Sequence, residues 1–124
     1  MREQVASSFE LDIVERGAVE HMLRGPEAWK SALREQLPHL TIESRTRNAY
    51  GDTVNFSLPL HVRVAENVPA SASPLECVVR HPLLRHGGLF ALWVRDGKLA
   101  ALEATSHGDE TWPSHSHAEN FQFE

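Results

Sequence analysis

Asp96 and Gly97 stand between two apolar runs in the stretch Leu89–Thr105, LFALWVRDGKLAALEAT. Asp-Gly is the dipeptide that a two-residue type I′ turn demands, because both central residues need positive φ and glycine adopts it without steric cost. The spacing predicts a β-hairpin of defined register, and an antiparallel sheet around it. Counting out from the turn, Arg95 meets Lys98, Val94 meets Leu99, Trp93 meets Ala100 and Leu92 meets Ala101. Ala91 then meets Leu102, Phe90 meets Glu103 and Leu89 meets Ala104. Side chains alternate faces along a strand, and away from the turn both faces of this hairpin are largely apolar. That pattern predicts a central hairpin covered on both sides, or one with a side in a partner interface. Glu103 is the exception. Opposite Phe90 it either sits wet at the sheet end or needs a partner, with Arg80, His81 and Arg85 as candidates, because a lone buried charge is costly.

Upstream of the hairpin the chain changes period. Leu11, Val14, Ala18 and Met22 recur at spacings of three and four, one face of a helix. Gly25-Pro26 breaks it, and Pro26 with Glu27 suits the first turn of a second helix. There Trp29, Leu33 and Leu37 recur with Ala32 beside them, while Lys30, Arg34 and Glu35 are expected to face solvent. Pro38 ends it. His39–Arg47 reads as a strand, and Asn48–Asp52, NAYGD, as a turn. Val54, Phe56, Leu58, Leu60, Val62 and Val64 occupy every second position, which predicts a strand over 54–64 with Pro59 at an edge or bulge. NVPASASP, 67–74, is a loop. Leu75–His81 is the next strand, with Leu75, Cys77 and Val79 on one face, and ENFQFE at 119–124 has the alternation of a last short strand. Helices first and strands after give an α+β domain spanning 1–124: two N-terminal helices packed on an antiparallel meander sheet of about four to five strands, in sequential order.

With 124 residues the chain can bury a core without staples. Cys77 is its one cysteine, so no intrachain disulfide forms, and in LECVV it reads as a small core residue. No apolar run approaches a membrane span, residues 1–17 lack the apolar core of a signal peptide, and the chain reads as cytoplasmic. Charge is unevenly placed. Residues 1–102 balance 12 Lys and Arg against 12 Asp and Glu, so the whole formal charge of −5 lies in residues 103–124, in Glu103, Asp109, Glu110, Glu119 and Glu124. That disfavours nucleic acid, which needs a basic patch. It suits either a basic protein partner, steered by charge, or a solvated tail.

Motifs of catalysis are missing. There is no Gly-x-Ser-x-Gly elbow, no His-Glu-x-x-His and no Gly-rich phosphate loop, so the chain reads as a non-enzyme without cofactor. Eight histidines invite a metal reading, and His115 and His117, with His107 before them, are the closest approach to a ligand set. A tetrahedral site needs more than that pair, and no metal is expected. Arg80, His81, Arg85 and His86 form a basic cluster that either pairs with Glu76 or Glu103 or binds an anion. With Glu103, Arg80 and His81 define the alternative reading, a small ligand-binding domain or enzyme. Trp112 in SHGDETWP is either a lid on the core or an interface anchor, and Tyr50 in NAYGD raises the same question. Asp109, Glu110, Trp112, Tyr50 and Asp52 are the candidate partner-binding residues. A third reading makes the two-sided apolar hairpin a homodimer face.

The stretch AWKSALREQLPHLTI followed by strands, and above all DGKLAALE followed by GDETWP, resembles a broad group of small bacterial α+β proteins over residues 20–113. The long NVPASASP loop and the His-rich end depart from that group. The resemblance carries over no catalytic residue. By its size, acidity and build the chain is similar to bacterial immunity proteins, which implies a cytoplasmic binding protein that neutralises a cognate toxin domain, a basic protein.

Overall fold

The computed structural model describes residues 10–124. Two helices, α1 (Ile13–Met22) and α2 (Ala28–Gln36), are followed by strands β1 (Thr41–Asn48), β2 (Gly51–Ser57), β3 (Leu75–His81), β4 (Leu84–Arg95), β5 (Lys98–Ser106) and the two-residue β6 (Gln122–Phe123). The strands form one antiparallel sheet in the order β1-β2-β5-β4-β3-β6. The domain is α+β, as its patterning predicts. The sequential order is corrected: β5 lies between β2 and β4, and only β3-β4-β5 is a meander. Residues 58–74 are long enough to carry the chain past two strand positions, so the hairpin folds back into the gap beside β2.

Helix α1 begins on a reciprocal cap. Asp12 accepts the Glu15 N–H at 2.8 Å and the Glu15 side chain accepts the Asp12 N–H at 3.0 Å, which satisfies two of the donors a helix start leaves open. Val14, Ala18, Val19 and Met22 bury its inner face. Its far end is closed by α2. Lys30 Nζ donates to Arg24 O at 3.0 Å, and Arg34 donates to Leu23 O and to Gly25 O. Lys30 and Arg34 are therefore half-buried, not free in solvent as their helix position suggests, because the unpaired carbonyls at a helix C-terminus attract cations.

Both helices lie on one face of the sheet. Phe90, Leu92, Leu102, Val54 and Val79 face them and are almost wholly buried, with Leu23 and Leu33 from the helix layer. The Asp96–Gly97 turn has φ 54° and 75°, the left-handed pair expected of it. Arg95↔Lys98 and Val94↔Leu99 pair as predicted. Then a bulge intervenes, and Trp93 pairs with Ala101, Leu92 with Leu102, Ala91 with Glu103 and Phe90 with Ala104. A one-residue insertion moves every later side chain to the other face. Leu102 thereby joins Leu92 in the core, and Glu103 leaves the face where Phe90 is buried.

Strand β2 stops at Ser57, so the strand expected to continue to residue 64 ends early. Pro59 cannot donate to a ladder, and beyond it Leu60 is 96% exposed. The alternation over 58–64 was a pattern without a neighbour to pair with. Gly51 opens β2 because β5 passes too close for a side chain: a Cβ there would lie 1.8 Å from Ala104 O. No helix of the described residues is long and apolar enough to cross a membrane.

Candidate functional site

The segment after β5 folds back over the helix-side core. Trp112 is 9% exposed and meets Phe90 edge to face at 5.5 Å between ring centres. Phe121 lies 6.1 Å from the same indole, and His115 lies 5.3 Å from Phe121. Aromatic pairs favour such tilted and edge-on contacts. Trp112 N–H donates to Ala49 O, and Ser106 N–H to Tyr50 O, both at 2.8 Å. These bonds seat the 106–112 segment against the β1–β2 turn. Trp112 is thus the lid of the core.

A polar clasp joins this segment to the start of α1. An indole N–H can only donate, so His115 Nε2 accepts it at 2.8 Å and the ring proton sits on Nδ1. Nδ1 then faces Asp12 Oδ2 at 2.8 Å. Glu15, completely buried, pairs with Arg45, whose guanidinium also donates to Glu10 O. Burial and the neighbouring Asp12 charge push the Glu15 carboxyl up. Burial acts in the same direction on Asp12, but the His115 hydrogen bond, the Glu15 N–H and the nearby Arg45 charge outweigh it and hold that carboxyl below the usual range. Among the described residues, Asp12, Glu15 and His115 are the group with metal-ligand spacing. Each ligand atom already has a partner, and the Arg45 guanidinium supplies the positive charge. The chemistry is that of an internal tie. His107 accompanies His86 O and His117 accompanies Glu119, so the three C-terminal histidines each have a different neighbour.

The five candidate partner-binding residues divide. Asp109 is exposed in a left-handed turn with φ 62°, and Tyr50 is 49% exposed. Glu110 is held at the start of β4, where its carboxylate accepts the His86 N–H at 3.0 Å and the Arg85 N–H at 3.1 Å. Those bonds, that of His86 foremost, hold its carboxyl below the ordinary range. Asp52 is buried against Arg47 Nη2 at 3.0 Å, and Trp112 is buried as described. Asp109 and Tyr50 are the two of the five that are exposed.

The other candidate set is not drawn together. Arg80 and His81 line an open cleft with Glu119, Asn120 and Gln122. Glu103 is not in that lining. It accepts the Trp93 indole N–H at 2.7 Å, so its partner is Trp93 and not Arg80, His81 or Arg85. Arg80 pairs with Glu124 at 3.3 Å, and His81 Nδ1 accepts the Leu83 N–H while its ring stacks 4.5 Å from Phe121. Burial pushes the Cys77 thiol up to about 11, which keeps it a protonated core residue.

Glu15, Arg45 and Gln36 make buried polar contacts that periodicity passed over. Glu15 had one legible sign, its place three residues after Asp12. No protein-family model, curated protein or solved structure matches the chain.

Proposed function

We propose that this chain is a protein-binding module, an immunity protein that holds and neutralises a cognate bacterial toxin domain with a basic surface. The observation that carries the reading is the placement of charge: all of the excess negative charge lies in residues 103–124, and exposed Asp109 stands in the segment tied to the Tyr50 turn. An exposed aromatic ring on the turn against which this acidic segment is seated can anchor a basic partner that the charge steers in. The described clefts are open to solvent and the polar side chains inside the fold are satisfied by one another, an arrangement that supports contact through the surface.

Co-expression with the C-terminal domain encoded by the adjacent upstream gene, followed by size exclusion, tests the reading. A stable complex and rescue of growth are expected; two separate peaks with a harmless neighbour would overturn it. Within such a complex, Tyr50→Ala is expected to weaken affinity about tenfold or more, chiefly through dissociation. Asp109→Asn keeps a residue that tolerates the left-handed turn and removes the charge. Its effect is expected on the association rate, at low salt, and surface plasmon resonance separates the two.

A further inference from the structure

The clasp on the Trp112 lid is built on a nitrogen that carries either a lone pair or a proton. Trp112 N–H donates to His115 Nε2 at 2.8 Å, and an indole nitrogen has no lone pair to offer in return. The bond therefore exists only while Nε2 is bare. Across the ring, Nδ1 donates to Asp12 Oδ2 at 2.8 Å, and that carboxyl is held below the usual range, in its charged form. Neutral His115 is thus satisfied at both nitrogens. Its charged form donates from both and can keep only the bond to Asp12. The site leaves little room for the other. The His115 side chain is 8% exposed and Trp112 is buried. Phe90 and Phe121 pack on the indole, and Phe121 stands edge-on to the imidazole. Two N–H groups cannot face each other across a hydrogen-bond distance, so the rings cannot both keep their places once Nε2 is protonated.

We propose that His115 is an acid-operated latch on this lid. Asp12 and Glu15 face the ring from the start of α1, Arg45 from β1 and His81 from the end of β3. His117, two residues on, pairs in the open with Glu119 at 3.6 Å. Arg45 neutralises Glu15, which leaves Asp12 as the charge that a proton on His115 answers. His81 is engaged elsewhere, since its Nδ1 accepts the Leu83 N–H. Burial, and then the charge on His115, hold the His81 ring below the ordinary histidine value of 6.5, so the two rings do not charge together. Protonation turns the Asp12 contact into a charge-assisted pair, the stronger kind, and takes the acceptor away from the indole. The imidazole stays on Asp12, and the indole turns out of its edge-on contact with Phe90. The Trp112 backbone bond to Ala49 O involves no titrating group, so acid unlatches the ring without releasing the strap. The strap carries Asp109 and is seated on the Tyr50 turn, so the latch also shapes the surface offered to a partner. That consequence rests on the function proposed above; the latch itself does not, and the free chain tests it.

The experiment is an NMR titration of the full chain, isotope-labelled at tryptophan and histidine, between about pH 8 and pH 5, the span over which histidines change charge. The Trp112 indole N–H signal is expected to move with the same midpoint as the His115 ring. The signals of Trp29 and of Trp93, whose acceptor is Glu103, should not follow it. His115→Gln offers one acceptor and one donor and takes up no proton, so its Trp112 signal should stay flat over that span. Trp112→Phe keeps an aromatic ring over Phe90 and removes the donor, so a proton on His115 then breaks nothing. The pH at which the ring charges should rise by about half a unit to one unit in that variant, the net worth of one hydrogen bond. An indole signal that does not track the imidazole would overturn the proposal. So would a Trp112 transition that persists in His115→Gln, or a Trp112→Phe chain whose imidazole charges at the wild-type pH.

Discussion

Arg45→Met is expected to cost about 3–5 kcal/mol of folding free energy at neutral pH, the range for removing one partner of a buried ion pair. Glu15 has no exposed surface and Arg45 is its counter-ion. Once the guanidinium is gone, a carboxylate stays in the core with only the Asp12 N–H to satisfy it. The loss depends on pH in a definite direction. Glu15 already has its folded-state carboxyl raised above the ordinary value of 4.5, by burial and by Asp12. For an acid raised in this way, ionisation penalises the folded state at every pH above its folded pKa, and the penalty is relieved as pH falls through that value. The variant raises it further, so its deficit against wild type should shrink on going from neutral to mildly acidic buffer. Asp12 works in the opposite sense. Its lowered carboxyl contributes stability above its unfolded value of 3.8, lost only as pH falls through the folded one. Urea unfolding of wild type and Arg45→Met at both pH values measures the difference. The double variant Glu15→Leu/Arg45→Met should recover most of the loss, short of about 1 kcal/mol for the helix cap. Two singles that simply add would show that the pair is not coupled.

Gln36→Leu is expected to cost about 2–4 kcal/mol, although leucine fits the volume and the helix. The Gln36 side chain is fully buried. Its Nε2 donates to Arg63 O at 3.0 Å and to Gly97 O at 2.9 Å, and its Oε1 accepts the Leu99 N–H at 3.0 Å. Gly97 O keeps the Ala65 N–H at 2.8 Å; Arg63 O and Leu99 N–H would be left without a partner. An orphaned buried group costs about 1–3 kcal/mol. Because these bonds pin residues 58–74 to α2 and to the hairpin turn, amide exchange in that connection should accelerate beyond the global loss. Uniform acceleration across the sheet would mean that the amide serves only the core.

The turn, the helix faces and the strand Leu75–His81 were legible because each rests on near neighbours in the chain. Asp96-Gly97 specifies its own backbone, and Leu33 and Leu37 share a face whatever they pack on. The strand expected over 54–64 shows the limit of that reasoning. Alternation is a property of one segment, whereas a strand needs a partner, and beyond Pro59 there is none. The hairpin register failed at one residue for the same reason. Nothing near Ala100 announces a bulge; it arises because Leu99 and Leu102 must both reach the helix-side core.

Of the candidate site, composition located the excess charge, and it named Tyr50 and Asp109, which are exposed. It grouped them with Asp52 and Trp112, which the fold buries, and with Glu110, whose carboxylate ties down the start of β4. An acidic or aromatic residue in a turn looks the same in sequence whether it faces water or a neighbour far along the chain. His115 and Asp12 are 103 residues apart, and Gln36 and Leu99 are 63 apart.

What the sequence determined by itself was the α+β class, the type I′ turn and the faces of both helices, since local sterics and side-chain period act over a few residues. What only the tertiary structure decided was the place of β5 between β2 and β4, the bulge that turns Glu103 toward Trp93, and the pairing of Glu15 with Arg45. Those depend on which distant surfaces meet and on the cost of leaving a buried charge or amide without a partner.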